Sequence, residues 1–247
     1  MVTIRQIWAG GGQVLNGWLA IPSAFSAELM AHAGYDSLTV DLQHGLQDYA
    51  SMVACLHGAG PVPVLVRVPW NEPALVGKAL DAGAAGVICP MVNTAEQAAA
   101  FVGHVRYPPA GQRSNGPIRA ALLKPGYQAG ANAEVLAIPM IETAEAVRNL
   151  GAILAVPGVD AIYIGPSDLS LSQGGPAVLD HEDPAMLAQF AHILATAHGA
   201  GVRAGIHAIA PDYAARMRAM GFDLVTVDSD AGLMLKAARA AVAAARD

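Results

Sequence analysis

Apolar residues recur along the chain in eight short runs, at 14–21 (VLNGWLAI), 37–42 (SLTVDL), 62–68 (VPVLVRV), 85–91 (AAGVICPM), 135–141 (VLAIPMI), 160–165 (DAIYIG), 202–207 (VRAGIH) and 223–228 (FDLVTV). Their length and near-continuous hydrophobicity are those of strands buried on both faces. Between them, Ala- and Leu-rich stretches with helical spacing occupy 24–33, 73–82, 94–104, 143–154, 184–199 and 211–220, several of them closed by a glycine. Doubly buried strands separated by helices imply a parallel sheet, because a parallel connection must cross over and the crossover is usually helical.

Eight such units in 247 residues fit a single-domain (β/α)8 TIM barrel better than a doubly wound sheet. The segment 105–134 interrupts the pattern with Pro, Gly, Arg and Asn and little periodicity. A connection of that length inside a compact domain is read as an active-site loop or lid. No composition shift marks a linker, so one domain over 1–247 is expected.

Composition narrows the function. The chain is 54% hydrophobic and 14% charged with a formal net charge of −6, and no window clusters basic residues. Nucleic acid and anionic membrane surfaces are therefore excluded as partners. The opening MVTIRQIWAGGGQ lacks the apolar core of a secretory signal, and no apolar run is long enough to span a bilayer, so a cytoplasmic protein is expected. Cys55 and Cys89 form neither a disulfide framework nor a zinc pattern and read as buried small hydrophobes.

In a TIM barrel the active site lies where strands end and βα loops begin. Strand 2 ends in Asp41, Gln43 and His44; strand 3 carries Arg67; strand 5 ends in Glu142; strand 6 runs into GPSDLS with Asp168; strand 7 ends at His207. Two carboxylates at adjacent mouths, Glu142 and Asp168, repel unless they share a proton or hold a cation. Hard oxygen donors suit Mg²⁺ or Mn²⁺, with Co²⁺ also admissible, and leave positions open for a chelating substrate. The plainer alternative makes Glu142 an acid near the N-cap of TAEAVRNL and Asp168 a turn residue. His44 suits a general base and Arg67 an anion holder; the alternatives are a hydrogen-bonded strand-end residue and a structural ion pair. From the residues alone, Asp41 is the partner expected for His44.

The series VDLQHG, VRVPWNEP, ALDAGAAGVICPMVNTAEQA, RYPPAGQRS, IETAEAVRNL and IGPSDLS, in order over nearly the whole chain, resembles the HpcH/HpaI aldolase family of metal-dependent class II pyruvate aldolases. The resemblance implies His44 as general base, Arg67 as oxyanion stabiliser, and Glu142 and Asp168 as metal ligands. It further implies Ser167 and Asp168 as backbone donors to the substrate carboxylate, and Asp81, in place of Asp41, as the acid that makes His44 more basic. Family members are commonly hexamers with sites near subunit interfaces, so this implies a homo-oligomer in which that acid can come from a neighbouring chain. Three positions depart from the family: Gln43 where Glu is common, Met140 where Gln is common, and His207 where an apolar residue is frequent.

The implied reaction joins a 2-oxo acid, pyruvate or hydroxypyruvate, to an aldehyde through an enolate, or cleaves the resulting 4-hydroxy-2-oxo acid. Schiff-base chemistry is not expected, because Lys78, Lys124 and Lys236 fall in helices or the long loop and not at a strand end. A CoA-ester lyase of the citryl or malyl type and a catalytically silent barrel subunit are the alternatives.

Overall fold

A computed structural model describes residues 2–246. Eight strands, β1 (Val14–Leu19), β2 (Ser37–Asp41), β3 (Val64–Arg67), β4 (Gly86–Cys89), β5 (Leu136–Ile141), β6 (Ala161–Ile164), β7 (Arg203–Ala208) and β8 (Leu224–Ser229), pair in parallel and in sequence order into a closed barrel. Every apolar run read as a strand is one, within a few residues at each end.

The first helices are α1 (Ile4–Ala9), α2 (Ala24–His32), α3 (Tyr49–Gly58), α4 (Pro73–Asp81), α5 (Ala95–Val105), α6 (Ile118–Leu123) and α7 (Tyr127–Glu134). They are followed by α8 (Ala144–Arg148), α9 (Leu150–Leu154), α10 (Pro166–Ser172), α11 (Pro184–Gly199), α12 (Pro211–Met220) and α13 (Asp230–Ala244). The expected helix over 143–154 is broken at Asn149, whose backbone leaves the helical region while its side chain donates to the Asn93 carbonyl at 2.8 Å. No helix among the described residues is long and apolar enough to cross a membrane.

Strand alternation sorts side chains into two cores. Leu38, Val40, Val64, Val66, Val87, Ile162, Ile164, Ile206 and Val225 face outward and pack under the helices. Val14, Trp18, Leu65, Ile88, Leu136, Ile138, Met140, Tyr163 and Leu224 face inward. Helix α1 closes the bottom of the barrel: its Ile4 and Trp8 join the inner core, and the Trp8 indole N–H donates to the Asp223 carbonyl at 2.9 Å.

The segment 105–134 differs from the expectation. It contains α6 and α7 and follows α5, so it leads into the lower end of β5. Arg113 meets Asp81, the last residue of α4, at 2.7 Å, and the Tyr127 hydroxyl donates to the Leu80 carbonyl. In its own chain the segment therefore lies at the strands' N-terminal end, away from the catalytic mouth.

Helix α13 stands off the barrel. Asp230, in its first turn, is buried, but from Met234 to Arg246 every residue is exposed, Met234, Leu235 and Val242 by 50% or more. Between α2 and α12 lies an open cleft of about 320 Å³, floored by Leu15 and Val227 and walled by Tyr35, Pro211 and Ala214.

Candidate active site

The registers of β2 and β3 place Asp41 beside Arg67. The Arg67 guanidinium donates through Nε and Nη2 to the two carboxylate oxygens at 2.9 and 2.6 Å. Asp41 also accepts the Trp18 indole N–H at 3.2 Å and the backbone N–H groups of Gln43 and His44 at 3.0 and 3.3 Å. Burial pushes the Asp41 carboxyl up, but the Arg67 hydrogen bonds and charge, with Trp18 and the Gln43 N–H, bring it below the usual range, so it stays ionised. Trp18 completes the clamp, its ring 4.9 Å from the guanidinium carbon. The Nε–Nη2 edge is thus docked and Nη1 is left without a partner among the described residues.

Asp41 was the acid expected to serve His44, and its carboxylate is occupied by Arg67 instead. It bonds only the His44 backbone, shaping the tight turn in which a side chain on Gly45 would strike the Asp41 carbonyl at 2.4 Å. The His44 imidazole is exposed at the rim and makes no hydrogen bond among the described residues. Asp81 is paired with Arg113 at the opposite end of the barrel. Among the described residues, therefore, no acid engages the imidazole.

Glu142 follows β5, 2% exposed. It directly precedes Thr143, which caps α8 by accepting the Ala146 N–H at 3.0 Å, so it lies near that N-cap as the plainer alternative has it, while its own oxygens are engaged elsewhere. Its Oε1 accepts the Met91 N–H at 2.7 Å, from a residue held at φ 56°, a backbone conformation costly for any side chain and typical of sites that position a group. Its Oε2 lies over Gly165: a Cβ there would stand 2.5 Å from that oxygen. Burial raises the Glu142 pKa to about 7, the Met91 N–H and Arg67 oppose the rise, and the charge of Asp168 adds to it. Asp168 is exposed in the first turn of α10, where the helix dipole favours a carboxylate. That turn has no side-chain cap, so its first N–H groups, including those of Ser167 and Asp168, face outward unpaired. No group of three or more His, Cys, Asp or Glu suited to a metal occurs among the described residues. Two neighbouring carboxylates, one buried and destabilised by the other, are a donor set that a divalent cation relieves.

The lower wall of the mouth is a polar layer that sequence reading largely missed. Asn16 on β1 accepts from Ser37 and Thr39 and donates to Thr226 at 2.9 Å; Thr226 meets the Tyr163 hydroxyl at 2.6 Å, which meets His207 Nδ1 at 3.1 Å. The signal was present: Asn16, Thr39 and Thr226 sit at inward positions of otherwise apolar runs. Burial, then Arg67, pushes the His207 pKa down to about 4, leaving the ring neutral. Met140 is buried in the inner core beneath Gly165, with its methyl 3.0 Å from where a Gly165 Cβ would stand.

The family model for HpcH/HpaI aldolase/citrate lyase matches residues 16–241. A hydroxypyruvate/pyruvate aldolase of Rhizorhabdus wittichii is 39% identical over 250 residues, covering 100% of this chain and 99% of its own. A 4-hydroxy-2-oxovalerate aldolase of Novosphingobium aromaticivorans is 39% identical, covering 93% of this chain and 92% of its own. A crystal structure of an HpcH/HpaI aldolase/citrate lyase family protein from Burkholderia cenocepacia superposes with a TM-score of 0.91 at 34% identity, over 99% of this chain and 98% of the other. The barrel, the strand-end residues and these likenesses agree: the chain belongs to the HpcH/HpaI aldolase/citrate lyase family of carbon–carbon lyases.

Proposed function

We propose that the protein is a class II pyruvate aldolase that makes or cleaves 4-hydroxy-2-oxo acids, with pyruvate or hydroxypyruvate as the enolate donor and an aldehyde as acceptor. The observation that carries the reading is Glu142: a buried carboxylate set against Asp168, with its pKa raised to about 7 chiefly by burial, is a group whose anion a bound cation stabilises strongly. Glu142 and Asp168 would hold Mg²⁺ or Mn²⁺, with Co²⁺ also compatible with oxygen donors. When bound, the cation polarises the carboxylate and keto oxygens of the oxo acid as a Lewis acid.

The chain's own residues do the rest. The free N–H groups of Ser167 and Asp168 receive the substrate carboxylate at the start of α10. Arg67, immobilised by Asp41 and Trp18, turns Nη1 toward the keto oxygen and stabilises the charge that collects there. His44 removes a proton from C3, leaving an enolate whose carbon attacks the aldehyde carbonyl. The new alkoxide takes up a proton, and cleavage is the same path reversed. Asp81 would act on His44 only from a neighbouring subunit. A homo-oligomer, six subunits by the family resemblance, is supported by the apolar α13 standing free and by the cleft that flanks β1 and β8. Cys55 and Cys89, free and buried, suit a cytoplasmic location.

The three lysines are engaged elsewhere: Lys78 over the Tyr49 ring, Lys124 with Glu134 and Lys236 with Asp228. Deuterium exchange at pyruvate C3 and product formation with an aldehyde should both stop in chelator and return with Mg²⁺ or Mn²⁺. Borohydride should trap no adduct. A covalent adduct, or full exchange in chelator, would refute the reading, and cleavage of a citryl or malyl thioester in its place would move the protein to the CoA-ester lyases.

A further inference from the structure

His207 stands at the barrel mouth, and the buried hydroxyls beneath it define what it presents. It occupies an inward position near the upper end of β7, two residues after Gly205, which packs on the Tyr163 ring. Its ring lies 4.8 Å from the Trp18 ring, the same indole that carries Arg67, and it is half-buried, so its unbonded edge opens on the mouth.

The proton positions follow from counting donors. Asn16 Oδ1 accepts from both Ser37 and Thr39, so its amide nitrogen is the group that donates to Thr226 Oγ1. With its oxygen taking that proton, Thr226 gives its own to the Tyr163 oxygen, and Tyr163 gives its own to His207 Nδ1. Reversing every bond would strand the hydroxyl protons of Ser37 and Thr39 in the core, against a single amide hydrogen of Asn16 in the direction given. We infer that this relay holds His207 as the neutral tautomer with its proton on Nε2, a hydrogen-bond donor that selects aldehydes carrying a 2-hydroxyl group over plain alkyl aldehydes. The adjacent Arg67 charge acts in the same sense, keeping the ring from taking a second proton.

The choice of the aldehyde rests on the function proposed above. There the polar atoms of the oxo acid are taken by Arg67, Ser167, Asp168 and the cation, at or just beyond the upper ends of β3, β5 and β6. The donor on β7 is left for the second substrate, next to the Trp18 ring.

Two measurements test the two halves separately. Imidazole ¹⁵N shifts of the metal-free protein, with His207 assigned by its loss in His207→Gln, should show a neutral ring protonated on Nε2 at neutral pH. An Nδ1–H tautomer or a charged ring would overturn the relay whether or not the protein is an aldolase. With pyruvate as donor, the ratio of kcat/KM for glycolaldehyde to that for acetaldehyde should fall about tenfold or more in His207→Leu. It should stay within about threefold of wild type in His207→Gln, which keeps an N–H donor. A ratio that His207→Leu leaves unchanged would overturn the selectivity. Wild-type protein inert toward every aldehyde would refute the aldolase reading and the selectivity with it, leaving the tautomer to the nitrogen shifts.

Discussion

Replacing Glu142 by Gln should stabilise the metal-free protein, and the gain should depend on pH. In the folded chain the carboxyl is held up to about 7 from an ordinary 4.5, chiefly by burial. Below pH 4.5 both folded and unfolded chains carry the proton and nothing is lost. As pH rises from 4.5 to about 7 the unfolded chain releases its proton while the folded one keeps it, so the native state loses ground, and above 7 the whole loss persists. The rise corresponds to about 3 kcal/mol, or roughly 6–12 °C in Tm for a domain of this size. Gln keeps an oxygen for the Met91 N–H and has no charge to lose. Scanning calorimetry in chelator should therefore show the variant more stable than wild type at pH 8 by several degrees, with the gap closing toward pH 4.5. Adding Mg²⁺ or Mn²⁺ should raise the wild-type Tm alone. A gap in chelator that is constant across this range, or a variant less stable at pH 8, would refute the reasoning.

Three further outcomes follow from the same geometry. Asp41→Ala strands Arg67, only 12% exposed, without its carboxylate, and should cost about 3–5 kcal/mol by urea unfolding; rescue by Arg67→Met in the same chain would show that the buried charge is the cause. Gly165→Ala should push Glu142 Oε2 from its place and weaken Mn²⁺ binding, followed by electron paramagnetic resonance, by about tenfold or more with the fold intact by circular dichroism. His44→Ala, at an exposed rim position with no hydrogen bond to lose, should leave Tm unchanged while lowering kcat for pyruvate C3 exchange by about a hundred- to ten-thousandfold.

The strands were legible because a parallel barrel strand must be apolar on both faces, a demand that writes itself into consecutive residues. Short helices make no such demand. α1 is six residues closed by a capping box of Thr3 with Gln6, and α13 buries almost nothing, so hydrophobic spacing passes over both; α3, with Met52, Cys55 and Leu56 buried at helical spacing, was open to the same reading. The site was legible as residue types at strand ends, and less so as partnerships. Asp41 stands three residues from His44 in sequence, yet the register that sets it beside Arg67 is a property of two strands 26 residues apart. The segment 105–134 looked like a lid because it lacks periodicity; which end of the barrel it occupies depends on its following a helix and not a strand. Gly165 and Met91 matter through one carboxylate oxygen each, and no pattern along the chain encodes that contact.

The plug formed by α1 leaves the barrel a single doorway. With Ile4 and Trp8 filling the floor, whatever enters past His44 must leave the same way. In the function proposed above the oxo acid would be seated deepest, against Glu142, and would have to arrive before the aldehyde and depart after it. Synthesis and cleavage should consequently follow a compulsory order, visible as an aldehyde product that competes with nothing until pyruvate is already aboard.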